Sequence, residues 1–163
     1  MKKAFTFSLP STKGDQFDLK KIKENVVIYF YPKDDTPGCT LETKDFSKLY
    51  KEFKKNKTEV VGISKDSMTS HLKFKKKYKV PFQLLSDEDV KVQKKYKVWG
   101  MKSFMGRKFK GTIRSTFLVD KNKKILKSWS NVRVLNHAKE VLEFLKEVKL
   151  IISFSHQNDR HQF

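Results

Sequence analysis

The chain has 163 residues, a length that fits one domain with a real core. An apolar fraction of 37% that includes fourteen Phe excludes a disordered chain, and no apolar run approaches the ~20 residues that cross a bilayer as a helix, so no membrane partner is expected. The net charge of +19 is carried by Lys with only four Arg, and lysine point charges attract phosphate without reading bases, so solvated lysine faces are the default reading and a polyanion partner the alternative.

In chain order, the basic start (Met1, Lys2, Lys3) soon meets Pro10 and polar residues, so no signal-peptide hydrophobic segment is expected and the chain is taken as mature and soluble. Residues 4–9 alternate Phe5, Phe7 and Leu9 with Thr6 and Ser8 and predict a short strand. Gly14 and Asp15 mark a turn, and residues 16–19 return as the second strand of a hairpin. Residues 26–31, Val-Val-Ile-Tyr-Phe-Tyr, form a β-branched and aromatic run that predicts a buried strand ending at Pro32. A turn with two prolines and a glycine follows. Leu41, Phe46, Leu49, Tyr50 and Phe53 then recur at helical spacing to about Lys55.

Residues 58–64 predict a second buried strand. Asp66 or Ser67 caps a helix to about Tyr78, with Leu72, Phe74 and Tyr78 inward. Residues 82–85 read as a short strand, and Ser86 and Asp87 begin a helix through Val90, Val92 and Tyr96. Residues 99–111 are basic and aromatic without a clean period and read as a loop or hairpin arm. Residues 113–119 and 124–129 read as strands joined by a turn. A final amphipathic helix runs from Leu135 to about Lys149. Residues 150–163 break this pattern and are expected to be a flexible tail, which leaves one domain over residues 1–149. Alternating strands and helices with hairpins imply an α/β fold built on a central mixed β-sheet flanked by helices.

The chain holds a single cysteine, Cys39. That rules out an internal disulfide, a Cys-x-x-Cys pair and a cysteine-rich zinc site, and it suits an intracellular reducing compartment. The four histidines, His71, His137, His156 and His161, are scattered and suggest no metal. Most lone cysteines are small buried apolar residues. Cys39, however, lies just past a strand, at the start of a helix, where unpaired N–H groups and the helix dipole favour a thiolate. Asp34 and Asp35 would oppose that charge, so their side chains are expected to point to solvent.

The pattern Pro32-x-x-x-Thr36-x-x-Cys39 resembles the peroxiredoxin active-site motif. The longer string from Tyr29 through Pro32, Thr36, Pro37, Gly38 and Cys39 to Glu42 is similar to the branch of bacterioferritin comigratory protein, or peroxiredoxin Q. A second segment, from Gly111 through Arg114 to Asp120, resembles the part of that branch that carries its active-site arginine. The resemblance runs collinearly over residues 5–149. It implies a thioredoxin-like fold and a thiol-dependent peroxidase that reduces hydrogen peroxide and small organic hydroperoxides, with no cofactor. Cys39 would be the peroxidatic thiolate that becomes a sulfenic acid. Arg114 would hydrogen-bond sulfur and peroxide. Thr36 would orient the peroxide, and Pro32 would shield the sulfur from water. Glu42 would hold an arginine or the loop in register.

Many members of that branch carry a resolving cysteine five residues after the peroxidatic one, where this chain has Lys44. The resemblance therefore implies a one-cysteine form reduced by an external thiol: thioredoxin, glutaredoxin or glutathione. It also implies a monomer. Two other readings compete. One is a peroxide sensor that relays oxidation from Cys39 to a partner protein. The other is a basic module that binds nucleic acid weakly and non-specifically through residues 73–79, 91–97 and 102–110. Most of the interleaved aromatics, Phe74, Tyr78, Tyr96, Trp99, Phe104 and Phe109, fit a core better than a stacking platform. A cytoplasmic location is expected, with a nuclear one open for a eukaryotic source.

Overall fold

Strand β3 (Asn25–Phe30) forms the middle of the molecule, and its sequence explains why. Alternate side chains of a strand point to opposite faces, so an unbroken apolar run implies burial on both sides. Val27, Tyr29 and the following Tyr31 enter one core with Cys39, Phe46 and Phe53. Val26, Ile28 and Phe30 enter a second core with Phe7, Phe17 and Leu19. The computed structural model describes residues 2–160.

The chain begins with a hairpin, β1 (Ser8–Pro10) and β2 (Gln16–Asp18), turned by Gly14 at a φ of +100°. The expected first strand is shorter than 4–9, although Lys3 makes an isolated bridge to Lys124. A short 3-10 turn (Leu19–Lys21) leads into β3. Then come α1 (Pro37–Lys55), β4 (Thr58–Ser64), α2 (Met68–Tyr78), β5 (Gln83–Ser86) and α3 (Lys91–Lys95). The hairpin β6 (Trp99–Phe104) and β7 (Arg107–Thr112) follows, then β8 (Ser115–Val119), β9 (Ile125–Trp129) and α4 (His137–Arg160).

The central sheet has five strands in the order β5-β4-β3-β8-β9. Strands β3, β4 and β5 are parallel; β8 is antiparallel to both β3 and β9. Helices α1, α2 and α4 supply the first core, while the N-terminal hairpin and α3 cover the other face. This is the thioredoxin-like α/β fold with a mixed sheet and an N-terminal hairpin. In β4, a Cβ at Gly62 would stand 2.7 Å from the Tyr29 ring, so only glycine admits that ring beneath α1.

Several local expectations are corrected. Leu72 and Leu41 face outward, and His71 is the inward residue of α2. Hydropathy alone cannot place a histidine whose polar atoms find buried partners. The helix expected from Ser86 starts at Lys91 instead. Ser86 ends β5, and the Asp87 carboxylate caps α3 by accepting from the Val92 and Gln93 amides. Leu135 is exposed and precedes α4. Residues 150–160 of the expected tail continue α4 as helix as far as Arg160, and no glycine or proline interrupts them. Its Leu150, Ile151, Ile152 and Phe154 are exposed. Residues 161–163 of that tail, with His161, and Met1 lie outside the described residues. Among the described residues no helix is long and apolar enough to cross a membrane.

Candidate active site

The parallel strands β3 and β4 end on the same edge of the sheet, and β3 delivers the chain there into a loop of residues 31–36. Pro37 then opens α1 at its first position, where its missing N–H costs nothing. Thr36 occupies the N-cap, yet its hydroxyl does not cap the helix. It donates to the Lys33 carbonyl at 2.8 Å, which ties the loop and leaves the hydroxyl lone pairs as acceptors. Cys39 sits in the first turn with only 1% of its surface exposed.

Antiparallel pairing of β8 with β3 sets Ser115 opposite Phe30, which brings the preceding Arg114 to the same edge. Its backbone carbonyl accepts from the Val132 amide. Its guanidinium then divides. Nη2 donates to Cys39 Sγ at 3.4 Å, and Nη1 donates to Glu42 Oε1 at 2.8 Å. Glu42 is one turn beyond Cys39 on α1, so its carboxyl and the sulfur face the same way. Gly38 makes room for this arrangement: a Cβ there would stand 3.2 Å from Arg114 Nη2.

The charges are unevenly compensated. Burial pushes the Glu42 carboxyl up to about 7 despite the opposing pull of Arg114. Its second oxygen, Oε2, is buried with no hydrogen-bond partner. Arg114 is held above its ordinary range, since the attraction of Glu42 and Cys39 outweighs desolvation. The Lys102 amino group, which donates to the Thr112 carbonyl at 2.8 Å, adds positive potential that both Arg114 and Cys39 feel. Burial pushes Lys102 down, and the repulsion of Arg114 adds to that.

Arg114 thus contacts both Cys39 and Glu42, which brings residues of the two separated motifs together. Thr36 and the half-buried Pro32 lie on the loop that leads to them. Lys44 is exposed on α1, with its amino group 6.0 Å from the Tyr78 ring centroid.

Asp34 departs from expectation. Only Asp35 is exposed, and it is paired with Lys77 and Tyr78. Asp34 is buried, because its carboxylate has partners: the Tyr31 hydroxyl at 2.6 Å, the Ser70 hydroxyl at 2.8 Å and His71 Nδ1 at 2.7 Å. Asp66 accepts from the Asp34 amide at 2.9 Å. The ligand atoms of Asp34, Asp66 and His71 lie within 4.8 Å of one another, a spacing that could hold a metal ion. Each already has a protein donor or acceptor. Neither Asp34 nor His71 was legible as a site residue; their spacing in sequence carries no signal that they meet.

The AhpC/TSA family model matches residues 1–128, and the chain belongs to that family. It is 40% identical to the Peroxiredoxin Bcp of Bacillus subtilis over 140 residues, covering 83% of this chain and 89% of that protein. It is 41% identical to the Peroxiredoxin Bcp of Escherichia coli over 142 residues, covering 86% of this chain and 91% of the other. The solved structure of the Xanthomonas campestris bacterioferritin comigratory protein superposes with a TM-score of 0.82 at 38% identity, over 86% of this chain and 90% of that one. That protein is described with an alkyl peroxide reduction activity.

Proposed function

We propose that the chain is a one-cysteine thiol peroxidase that reduces hydrogen peroxide and small organic hydroperoxides. The observation that carries this reading is the Arg114 guanidinium spanning Cys39 Sγ and Glu42 Oε1 at the start of α1. A positive fork against sulfur stabilises charge there, and it is also placed to stabilise the charge that leaves. The alkyl peroxide reduction described for the Xanthomonas relative supports extending the substrate class beyond hydrogen peroxide.

In the first half-reaction the Cys39 thiolate attacks one peroxide oxygen. An S–O bond forms as the O–O bond breaks, and the departing oxygen takes a proton and leaves as water or alcohol. Cys39 becomes a sulfenic acid, oxidised by two electrons. Thr36 uses its hydroxyl proton on Lys33, so it accepts a hydrogen bond from the peroxide and fixes its direction. Pro32 offers no N–H to water beside the sulfur. Glu42 fixes the guanidinium and is a positioning residue. The near-complete burial of the sulfur favours small peroxides.

The second half-reaction needs outside electrons, because Cys39 is the only cysteine. One external thiol displaces water from the sulfenic acid to give a mixed disulfide. A second thiol then releases Cys39 and a disulfide. Thioredoxin, glutaredoxin or glutathione fits this role, in a reducing, cytoplasmic compartment and with the enzyme as a monomer. The test is peroxide consumption with each thiol and with Cys39→Ser: turnover needs both the thiol and the cysteine, and turnover without any added thiol would refute the one-cysteine cycle.

A second reading is favoured by one patch. Phe104 and Met105 are exposed at the tip of the β6–β7 hairpin, next to Arg107 and Lys108. As a nucleic-acid surface it would bind weakly, without sequence preference and with steep salt dependence. Phe74 and Tyr96, by contrast, are buried in the two cores.

A further inference from the structure

We propose that Asp34 and His71 are positioning residues for the peroxidase reaction: a buried hydrogen-bonded pair that locks the loop before Cys39 onto α2. The inference rests on the peroxidase reading for its function and on hydrogen-bond geometry for its structure.

Donor and acceptor counting fixes the protons. His71 Nε2 lies 3.0 Å from the Leu85 carbonyl, which can only accept, so Nε2 carries a proton. Nδ1 lies 2.7 Å from Asp34 Oδ2, so a second proton lies between these two atoms. The same carboxylate also accepts from the Tyr31 and Ser70 hydroxyls. One proton is thus shared between His71 Nδ1 and Asp34 Oδ2 in a short buried hydrogen bond.

The consequence for Cys39 is mechanical. The loop of residues 31–36 is anchored from three directions: to α2 through the Asp34 bonds to His71 and Ser70 and the outer Asp35 bonds to Lys77 and Tyr78, to Asp66 beyond β4 through the Asp34 amide, and to itself through Thr36 and Lys33. Thr36 is thereby held in place by groups that never touch the peroxide.

The experiment combines ring-nitrogen NMR of His71 with stopped-flow oxidation of Cys39 by hydrogen peroxide. In the reduced protein, His71 is expected to show a protonated Nε2 and a slowly exchanging downfield proton shared between Nδ1 and Asp34. Asp34→Asn should remove that proton and slow oxidation at least tenfold, with a folded circular dichroism spectrum. Asp15→Asn, at an exposed carboxylate in the turn between β1 and β2, should leave the rate within twofold. If Asp34→Asn does not fold, His71→Leu, which removes the bond to Asp34, provides the same rate comparison. Absence of the shared proton, or a folded Asp34→Asn or His71→Leu protein that oxidises at the wild-type rate, overturns the inference. Slow oxidation of the wild-type protein itself would refute the peroxidase reading, while the ring signature would still decide the pair.

Discussion

Arg114 stands with Nη2 3.4 Å from Cys39 Sγ while Nη1 is pinned 2.8 Å from Glu42. One planar fork serves both contacts, which a lysine point charge cannot do. Arg114→Ala is expected to slow Cys39 oxidation by about 10²–10³-fold, the usual loss on removing a donor aimed at developing charge. Arg114→Lys should recover only part of it. Stopped-flow rates with hydrogen peroxide check both, and a wild-type rate in Arg114→Ala would remove the guanidinium from the account.

Gly38 offers a way to move Arg114 without deleting it. An alanine Cβ there would press within 3.2 Å of Nη2, and Glu42 limits how far the fork can retreat. Alanine suits a helix interior better than glycine by about 1 kcal/mol, but Gly38 lies in the first turn and the crowding against the fork opposes that gain. Gly38→Ala is therefore expected to change the melting temperature little while slowing oxidation. A parallel fall in both would point to disruption of the helix start instead.

Glu42 gives a pH signature. Its folded carboxyl titrates near 7 against 4.5 for the free group, and burial is the main cause. The folded state therefore binds more protons than the unfolded state between those values, so the stability linked to Glu42 is full below 4.5 and is lost as pH rises through 7. Glu42→Gln removes this dependence. Measured against wild type by urea unfolding, the variant should gain relative stability between pH 4.5 and pH 7, by roughly 3 kcal/mol at about 1.4 kcal/mol per unit. A difference that stays flat across this range would mean Glu42 is ionised throughout.

Much of the fold was legible in the sequence, for identifiable reasons. The run Val26 to Tyr31 could only be a strand buried on both faces, and Phe46 and Phe53 gave α1 its inner face. What could not be read were placements decided by polar partners. His71 turns inward and Leu72 outward because Asp34 and the Leu85 carbonyl satisfy the imidazole. Asp34 is buried for the same reason. The 75-residue separation of Cys39 and Arg114 carries no distance information; only the family resemblance joined them before the pairing of β3 with β8 did. Residues 150–160 had lost their apolar period, which reports burial, whereas extending an existing helix adds a hydrogen bond per residue without a new nucleus.

Thr36 separates hydrogen bonding from shape. Thr36→Ser keeps the donor to Lys33 and the lone pairs, and should oxidise within a few-fold of wild type. Thr36→Val loses both. A lost hydrogen bond of about 1.5–3 kcal/mol to a charged group corresponds to roughly 10–150-fold in rate. Equal rates for the two variants would show that the hydroxyl has no part in orienting the peroxide.

The most direct test of the central claim is rapid mixing of the reduced protein with hydrogen peroxide, with mass analysis of Cys39 and a Cys39→Ser control. The account predicts fast consumption of one peroxide per chain, a single added oxygen on Cys39 that persists until an external thiol is supplied, and no reaction in the control. Oxidation no faster than that of a free thiol in solution, or an equal rate in Cys39→Ser, would contradict it.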